Sequence, residues 1–149
     1  KFFKINNKVQ KNINLEKRFG LHKFKTYKRF ANKVSSSRKK LNKIFDKIKS
    51  ENKKVIGYGA TAKSCTVLNY CKIGSKKIDF FYDTTSYKIG KLLPGSKIKI
   101  KKYKKLSIKD VEYVFLGAWN FKSEIFKKEK NYIRQGGRFI THIPSPKII

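Results

Sequence analysis

The chain has 149 residues, with 39 Lys and Arg against 9 Asp and Glu, a formal net charge of +30. That length holds one domain and a short extra segment, and 39% hydrophobic with 14% aromatic content excludes simple disorder. The charge excludes an acidic or neutral surface, and two cysteines exclude a disulfide scaffold.

So basic a chain suggests nucleic acid, but the kind of cation matters. Only Arg18, Arg29, Arg38, Arg134 and Arg138 are arginines; the other basic residues are lysines. Phosphate-gripping surfaces draw on the bidentate fork of arginine as well. Lys, Asn, Ile, Phe and Tyr share AT-rich codons, so codon drift accounts for the composition without a nucleic-acid partner.

Residues 1–22 are polar, rich in Lys and Asn and weakly periodic, and read as the tail of an upstream segment. From Phe24 the pattern sharpens: Tyr27, Phe30, Ala31, Val34, Leu41, Ile44, Phe45 and Ile48 recur at spacings of three and four, with one gap across the serines at 35–37. That predicts a long amphipathic connecting helix within 23–52. Residues 53–149 then read as an α/β domain. Lys54–Gly59 is a strand running into glycines, and Ala62–Tyr70 a helix stopped by Gly74. Ile78–Asp83 is a second strand ending in an acid. Tyr87–Gly95 is loop, with Pro94 and Gly95 as turn residues, and Ile98 and Ile100 mark a half-exposed strand. Val111–Leu116 is a buried strand. Phe121–Arg134 is an amphipathic helix capped by Asn120 and ended by Gly136-Gly137. Arg138–Ile143 is the last strand, closed by Pro144. Strands alternating with helices predict a Rossmann-like, mostly parallel sheet flanked by helices.

The sharpest local feature is Gly57-Tyr58-Gly59-Ala60-Thr61-Ala62-Lys63-Ser64, between a strand and a helix. As G-x-G-x-x-A it is a dinucleotide-type turn. Gly57 permits the bend, Gly59 lets backbone approach a phosphate, and Ala62 lets helix and strand pack closely. Asp83 closes the next strand, where a ribose-binding acid would stand. As G-x-x-x-x-A-K-S the same residues fall one glycine short of a phosphate-binding P-loop. The strand at 111–116 also lacks the Mg²⁺-holding acid that such a site wants. A tight turn with no ligand is the third reading. Lys63 in the first helical turn opposes the helix dipole at a cost of roughly 0.3–1 kcal/mol, which an anionic ligand would reverse.

Other candidates carry less. Cys65 and Cys71 lack partners at metal spacing and read as buried or inert thiols. His142 ends the last strand at the sheet edge where α/β proteins bind ligands, and Trp119-Asn120 follows a strand at that edge. His22 carries no signal. No nucleophile triad or paired acids are present. No secretory signal and no membrane span are present. Beginning on Lys1 rather than Met, the chain reads as part of a longer cytoplasmic protein.

Taken in order, several motifs resemble one family. They are Lys54–Lys63, Leu68-Asn69-Tyr70, Asp83, Lys88-x-Gly90-Lys91-x-x-Pro94-Gly95, Ala118-Trp119-Asn120, Glu124-Ile125 and Gly136–Ile140. The chain is similar, over about residues 15–143, to the C-terminal domain of the S-adenosylmethionine-dependent C-methyltransferases acting on nucleotide-linked deoxysugars. The resemblance implies that zinc, S-adenosylmethionine and the catalytic residues belong to upstream segments, with no cofactor, metal or catalytic residue here. The upstream methyltransferase core is then the implied protein partner, and the nucleotide-linked deoxysugar the implied ligand. The sugar nucleotide, rather than NAD, becomes the anion at the glycine turn. Its contacts would come from Gly57, Tyr58, Gly59, Ala60, Thr61, Ala62, Lys63, Asn69, Asp83, Pro94, Gly95, Trp119, Asn120 and His142. Ser64-Cys65 departs from the Gly-Asn common in the family, Phe121 replaces a more polar residue, and Lys97 and Lys99 make one loop unusually basic. The alternative is a basic nucleic-acid-binding module, in which lysines interleave with Phe24, Tyr27, Phe30 and Tyr103. No zinc-finger or other nucleic-acid signature accompanies them.

Overall fold

The computed structural model describes residues 7–149, which fall into two compact units parting between Ser36 and Ser37. In the first unit, α1 (Asn7–Phe19) is a helix within the weakly periodic lead-in, to which no element was assigned from its pattern. None of its side chains is buried, so no strict apolar stripe was needed to form it. Gly20, at φ +68°, ends it. The Gly20 amide donates to Lys17 O and the Leu21 amide to Glu16 O, which satisfies the last carbonyls of the helix. Residues 1–6 of the predicted tail lie outside the described residues. The long helix predicted within 23–52 is α2 (Phe24–Ser50), and its residues from Ser37 onward belong to the second unit.

The second unit is an α/β sandwich. Its strands are β1 (Val55–Tyr58), β2 (Phe80–Asp83), β3 (Lys99–Lys102), β4 (Tyr113–Leu116), β5 (Arg138–Thr141) and β6 (Lys147–Ile148). They form one sheet in the order β3-β2-β1-β4-β5-β6, parallel except for β6 against β5. The mostly parallel α/β expectation holds. Side chains alternate across the sheet, as the strand period of two requires. Val55, Phe81, Phe115 and Ile140 join one core with Leu41, Phe45 and Ile48 of α2 and Leu68 of α3 (Ala62–Cys71). Ile56, Tyr58, Val114, Leu116 and Phe139 join the other with Ile125 and Tyr132 from α4 (Lys122–Lys128) and α5 (Lys130–Arg134). Each large apolar side chain so buried contributes roughly 1.5–3 kcal/mol.

Three local expectations are corrected. The helix predicted at Phe121–Arg134 is a 3₁₀ turn at Trp119–Phe121 followed by α4 and α5, which meet at Glu129. Asn120 lies inside that turn and caps neither helix; no side chain caps α4. Helix α3 ends at Lys72, which takes the left-handed conformation two residues before Gly74. β6 was not expected, because two residues after a proline turn carry no strand pattern; its pairing with Ile140 and Thr141 forms it.

Chain order places the ligand edge. The chain moves from β1 outward through β2 to β3, then returns to β4 on the other side of β1. The order therefore reverses between β1 and β4. In open parallel sheets the crevice beyond the carboxyl ends of the strands at such a reversal is the ligand-binding position.

Candidate ligand crevice at the strand ends

At that edge the chain leaves β1 through Gly59, at φ +82°, a conformation that favours glycine. A Cβ on Gly59 would stand 2.5 Å from the Cβ of Ala118, which follows β4. Gly117 packs its Cα against the Gly59 carbonyl, so both strand ends are narrowed to bare backbone. The turn is then wired in place. The Gly59 amide donates to Tyr82 O at 2.8 Å, and the Ala60 amide to Asp83 Oδ2 at 2.8 Å. Thr61 caps α3 by a reciprocal pair: the Ser64 amide donates to Thr61 Oγ1, and the Thr61 amide to Ser64 Oγ. Ser64 thus has a structural task in the turn.

Asp83 is 8% exposed. Its second oxygen accepts the Thr85 amide at 2.8 Å, and the Lys88 ammonium stands 3.7 Å from the first. Burial pushes this carboxyl upward, but the hydrogen bonds from Thr85 and Ala60, with Lys88 beside it, outweigh that and hold it below the ordinary range. Lys88 also donates to Ala60 O at 3.0 Å. Asp83 and Lys88 together clamp the glycine turn to the end of β2.

Beyond the clamp lies a crevice of about 330 Å³. Tyr58, Gly59, Thr61 and Asp83, all predicted contacts, line it. Tyr82, Thr85, Lys88, Tyr103, Phe121 and Lys128 also line it and were not among the predicted contacts. Behind the wall, Glu129 is 1% exposed and accepts from Tyr103 Oη at 2.6 Å, Tyr58 Oη at 3.2 Å and the Leu106 amide at 3.4 Å. Burial, then the bond to Glu129, push the Tyr103 phenol up to about 12; burial and the Glu129 charge also raise Tyr58. Both phenols are therefore protonated donors at neutral pH. An acid set among Lys127, Lys128 and Lys130 carries no sequence signal that it turns inward. Lys88 did stand in a quoted motif, and its clamp was the legible part of what was missed.

The remaining predicted contacts are placed elsewhere. Gly57 lies within β1, and the ring of Phe81 occupies the space of its missing Cβ. The Asn69 amide donates to Pro94 O at 3.0 Å, and the same side chain fills the space over Gly95, at φ +75°; these three tie α3 to the following loop. Lys63 at the start of α3 lies 5.3 Å from the ring centre of Trp119, a cation–π contact outside the crevice lining. Ala60, Ala62 and Asn120 are likewise outside that lining.

His142 is 3% exposed, stacks on Phe115 at 5.3 Å between ring centres, and among the described residues has no hydrogen-bond partner on either nitrogen. Burial alone lowers it from 6.5 to about 4, so it is neutral at pH 7. The folded state therefore binds this proton less readily than the unfolded chain. The stability it confers is complete above pH 6.5 and is lost as pH falls toward 4, by roughly 3 kcal/mol in all. Asp83 acts in a separate, lower window, because its lowered pKa costs stability only below the ordinary carboxylate range. Melting curves between pH 7.5 and 4 should show the loss in the wild type and not in His142→Phe. An equal slope in both would refute the assignment.

Zinc does not fit here. Among the described residues no three His, Cys, Asp or Glu come together, and burial raises the thiols of both Cys65 and Cys71. No described helix is long and apolar enough to cross a membrane.

Comparison with known proteins gives the family. C-methyltransferase NovU of Streptomyces niveus is 37% identical over 134 residues, 90% of this chain and 32% of that protein. The chain thus spans about a third of the length of the curated relative it matches. Residues 3–144 match the family described as the C-methyltransferase C-terminal domain. With a match over nearly its whole length, the chain belongs to the C-methyltransferase C-terminal domain family.

Proposed function

We propose that this domain is the nucleotide-sugar-binding C-terminal part of an S-adenosylmethionine-dependent sugar C-methyltransferase. The observation that carries the reading is the crevice at the β1/β4 reversal, where aromatic walls meet hydroxyl, carboxylate and ammonium groups. Aromatic faces suit the apolar side of a sugar ring or a base, and the polar groups suit hydroxyls and phosphate.

S-adenosylmethionine, bound by other parts of the enzyme, would supply the methyl group. A base on those parts would create the carbanion beside a keto group. This chain contributes position, holding the ligand against the crevice, which is worth much in a bond-forming reaction between two bound molecules. It offers no catalytic residue of its own, and alone it is expected not to methylate. The reading also carries the expectation of a cytoplasmic enzyme whose methyltransferase core is the protein partner.

Calorimetry with a dTDP-linked sugar provides the test. The wild-type chain should bind weakly, and Phe121→Ala, which removes a half-exposed crevice ring, should bind about tenfold more weakly with its circular dichroism unchanged. Equal binding by the two proteins would remove the ligand from this crevice.

A further inference from the structure

We infer that the anionic group of the ligand sits on Lys128, at the Tyr103 side of the crevice, and not on the amides of the glycine turn. This rests on the nucleotide-sugar reading above and names the orientation of that ligand.

A dinucleotide-type turn holds phosphate with backbone amides that lack internal partners. Here most of those amides are occupied. Gly59 N donates to Tyr82 O, Ala60 N to Asp83 Oδ2, Thr61 N to Ser64 Oγ, and Ser64 N to Thr61 Oγ1. Only the first-turn amides of Ala62 and Lys63 remain ahead of the helical ladder. The carboxylate of Asp83 also lies directly against the turn, where it repels a second anion. Lys88 offsets that charge but is already engaged with Ala60 O and Asp83.

Lys128 differs in each respect. It lines the crevice, and its ammonium lies 3.6 Å from the ring centre of Tyr103. Among the described residues it takes part in none of the ion pairs. Glu124, one turn earlier on α4, lines the same rim without pairing with it. The Tyr103 hydroxyl is directed at the buried Glu129, so the ring presents its face to the cation rather than a donor to the ligand. The ammonium is thereby held over an aromatic plate with its remaining donors free. A diphosphate laid there leaves the hydroxylated, neutral part of the ligand toward Asp83 and Thr85. Each Asp83 oxygen retains a lone pair for a hydroxyl donor.

The test compares dTDP with uncharged thymidine, each titrated into the full chain and followed by the fluorescence of Trp119, its only tryptophan. Lys128→Gln replaces an exposed side chain and should fold normally. It is expected to weaken dTDP about tenfold or more and to leave thymidine within about twofold, with the salt dependence of dTDP binding reduced. An equal loss for both ligands, or no loss for either, overturns the assignment. So does a selective loss of dTDP in Lys63→Gln with Lys128→Gln unaffected, which would put the phosphate at the start of α3. If the wild-type chain binds neither dTDP nor a dTDP-linked sugar, the nucleotide-sugar reading itself fails. A dTDP-linked sugar bound without sensitivity to Lys128 defeats only the orientation.

Discussion

Replacing Gly59 by Val is expected to destabilise the second unit by roughly 3–5 kcal/mol, from left-handed backbone strain and overpacking together. Both costs are visible at this residue. A β-branched side chain at φ +82° is forced into a region that L-residues avoid. Its Cβ also meets Ala118 Cβ at 2.5 Å and the Ala118 amide nitrogen at 3.1 Å. Neither neighbour can give way, because the Ala118 amide donates to Tyr58 O and so belongs to the β1–β4 junction. Against a total stability of about 5–15 kcal/mol for a domain, the loss leaves little margin. Urea unfolding followed by circular dichroism measures it. Gly136→Ala is the internal control, since Gly136 has φ +95° but open space around its missing Cβ. It should cost only the strain, about 1 kcal/mol. Equal losses at the two positions would show that the close approach to Ala118 is unimportant. The double variant Gly59→Ala with Ala118→Gly should recover stability relative to Gly59→Ala alone, because it removes the collision and leaves the strain.

Glu129→Ala should cost about 3 kcal/mol and lower the melting temperature by on the order of 10 °C. The carboxylate satisfies two phenols and one amide inside the protein, and its removal leaves those donors unpaired. Glu129→Gln is the discriminating comparison. It keeps an acceptor oxygen in place and should lose about 1 kcal/mol. If Ala and Gln were equally mild, the Tyr58–Glu129–Tyr103 network would be incidental to the fold. The same variants should disturb the crevice, because the network orients Tyr103 and Tyr103 carries Lys128. Nucleoside diphosphate binding should therefore fall more in Glu129→Ala than in Glu129→Gln.

The two effects share an origin. The C-terminal edge of this sheet is built from close backbone approach on one side and buried polar pairing on the other. Small residues at Gly59, Gly117 and Ala118 bring β1 and β4 together. Asp83 and Lys88 then tie the turn to β2, and Glu129 ties α4 to the floor of the crevice. A rigid frame of this kind is what precise placement of a ligand requires.

The charge finds a plain place in the fold. The edge strand β3 carries Lys99, Lys101 and Lys102 on exposed positions around one buried residue, Ile100. The outer backbone of β3 is itself covered, the Ile100 amide donating to Lys91 O and the Gly90 amide to Ile100 O, so these lysines are solvated side chains beside a paired edge. Lys101 further lies 4.0 Å from the ring centre of Phe80, so its stem and charge cover a half-buried aromatic. These are structural uses of lysine that call for no polyanion.

From the sequence alone came the class of fold, the strand-to-helix glycine turn, the long helix and the family. Each rests on patterns confined to a few neighbouring residues: the aromatic run Phe80-Phe81-Tyr82 closed by Asp83, the helical spacing of Leu41, Phe45 and Ile48, and the glycine pair at 57 and 59. The chemistry of the crevice rests on partners far apart in the chain. Ala60 meets Asp83 across 23 residues, Lys88 meets Ala60 across 28, and Tyr58 meets Glu129 across 71. No local period encodes such meetings. They follow from the order in which the strands assemble, which brings the ends of β1, β2 and β4 to one edge and turns Glu129 beneath them. The sequence could therefore offer an anion-binding turn as one reading of residues 57–64. Only the tertiary structure decided that most of its amides were already occupied, because the residue that occupies Ala60 arrives from the neighbouring strand.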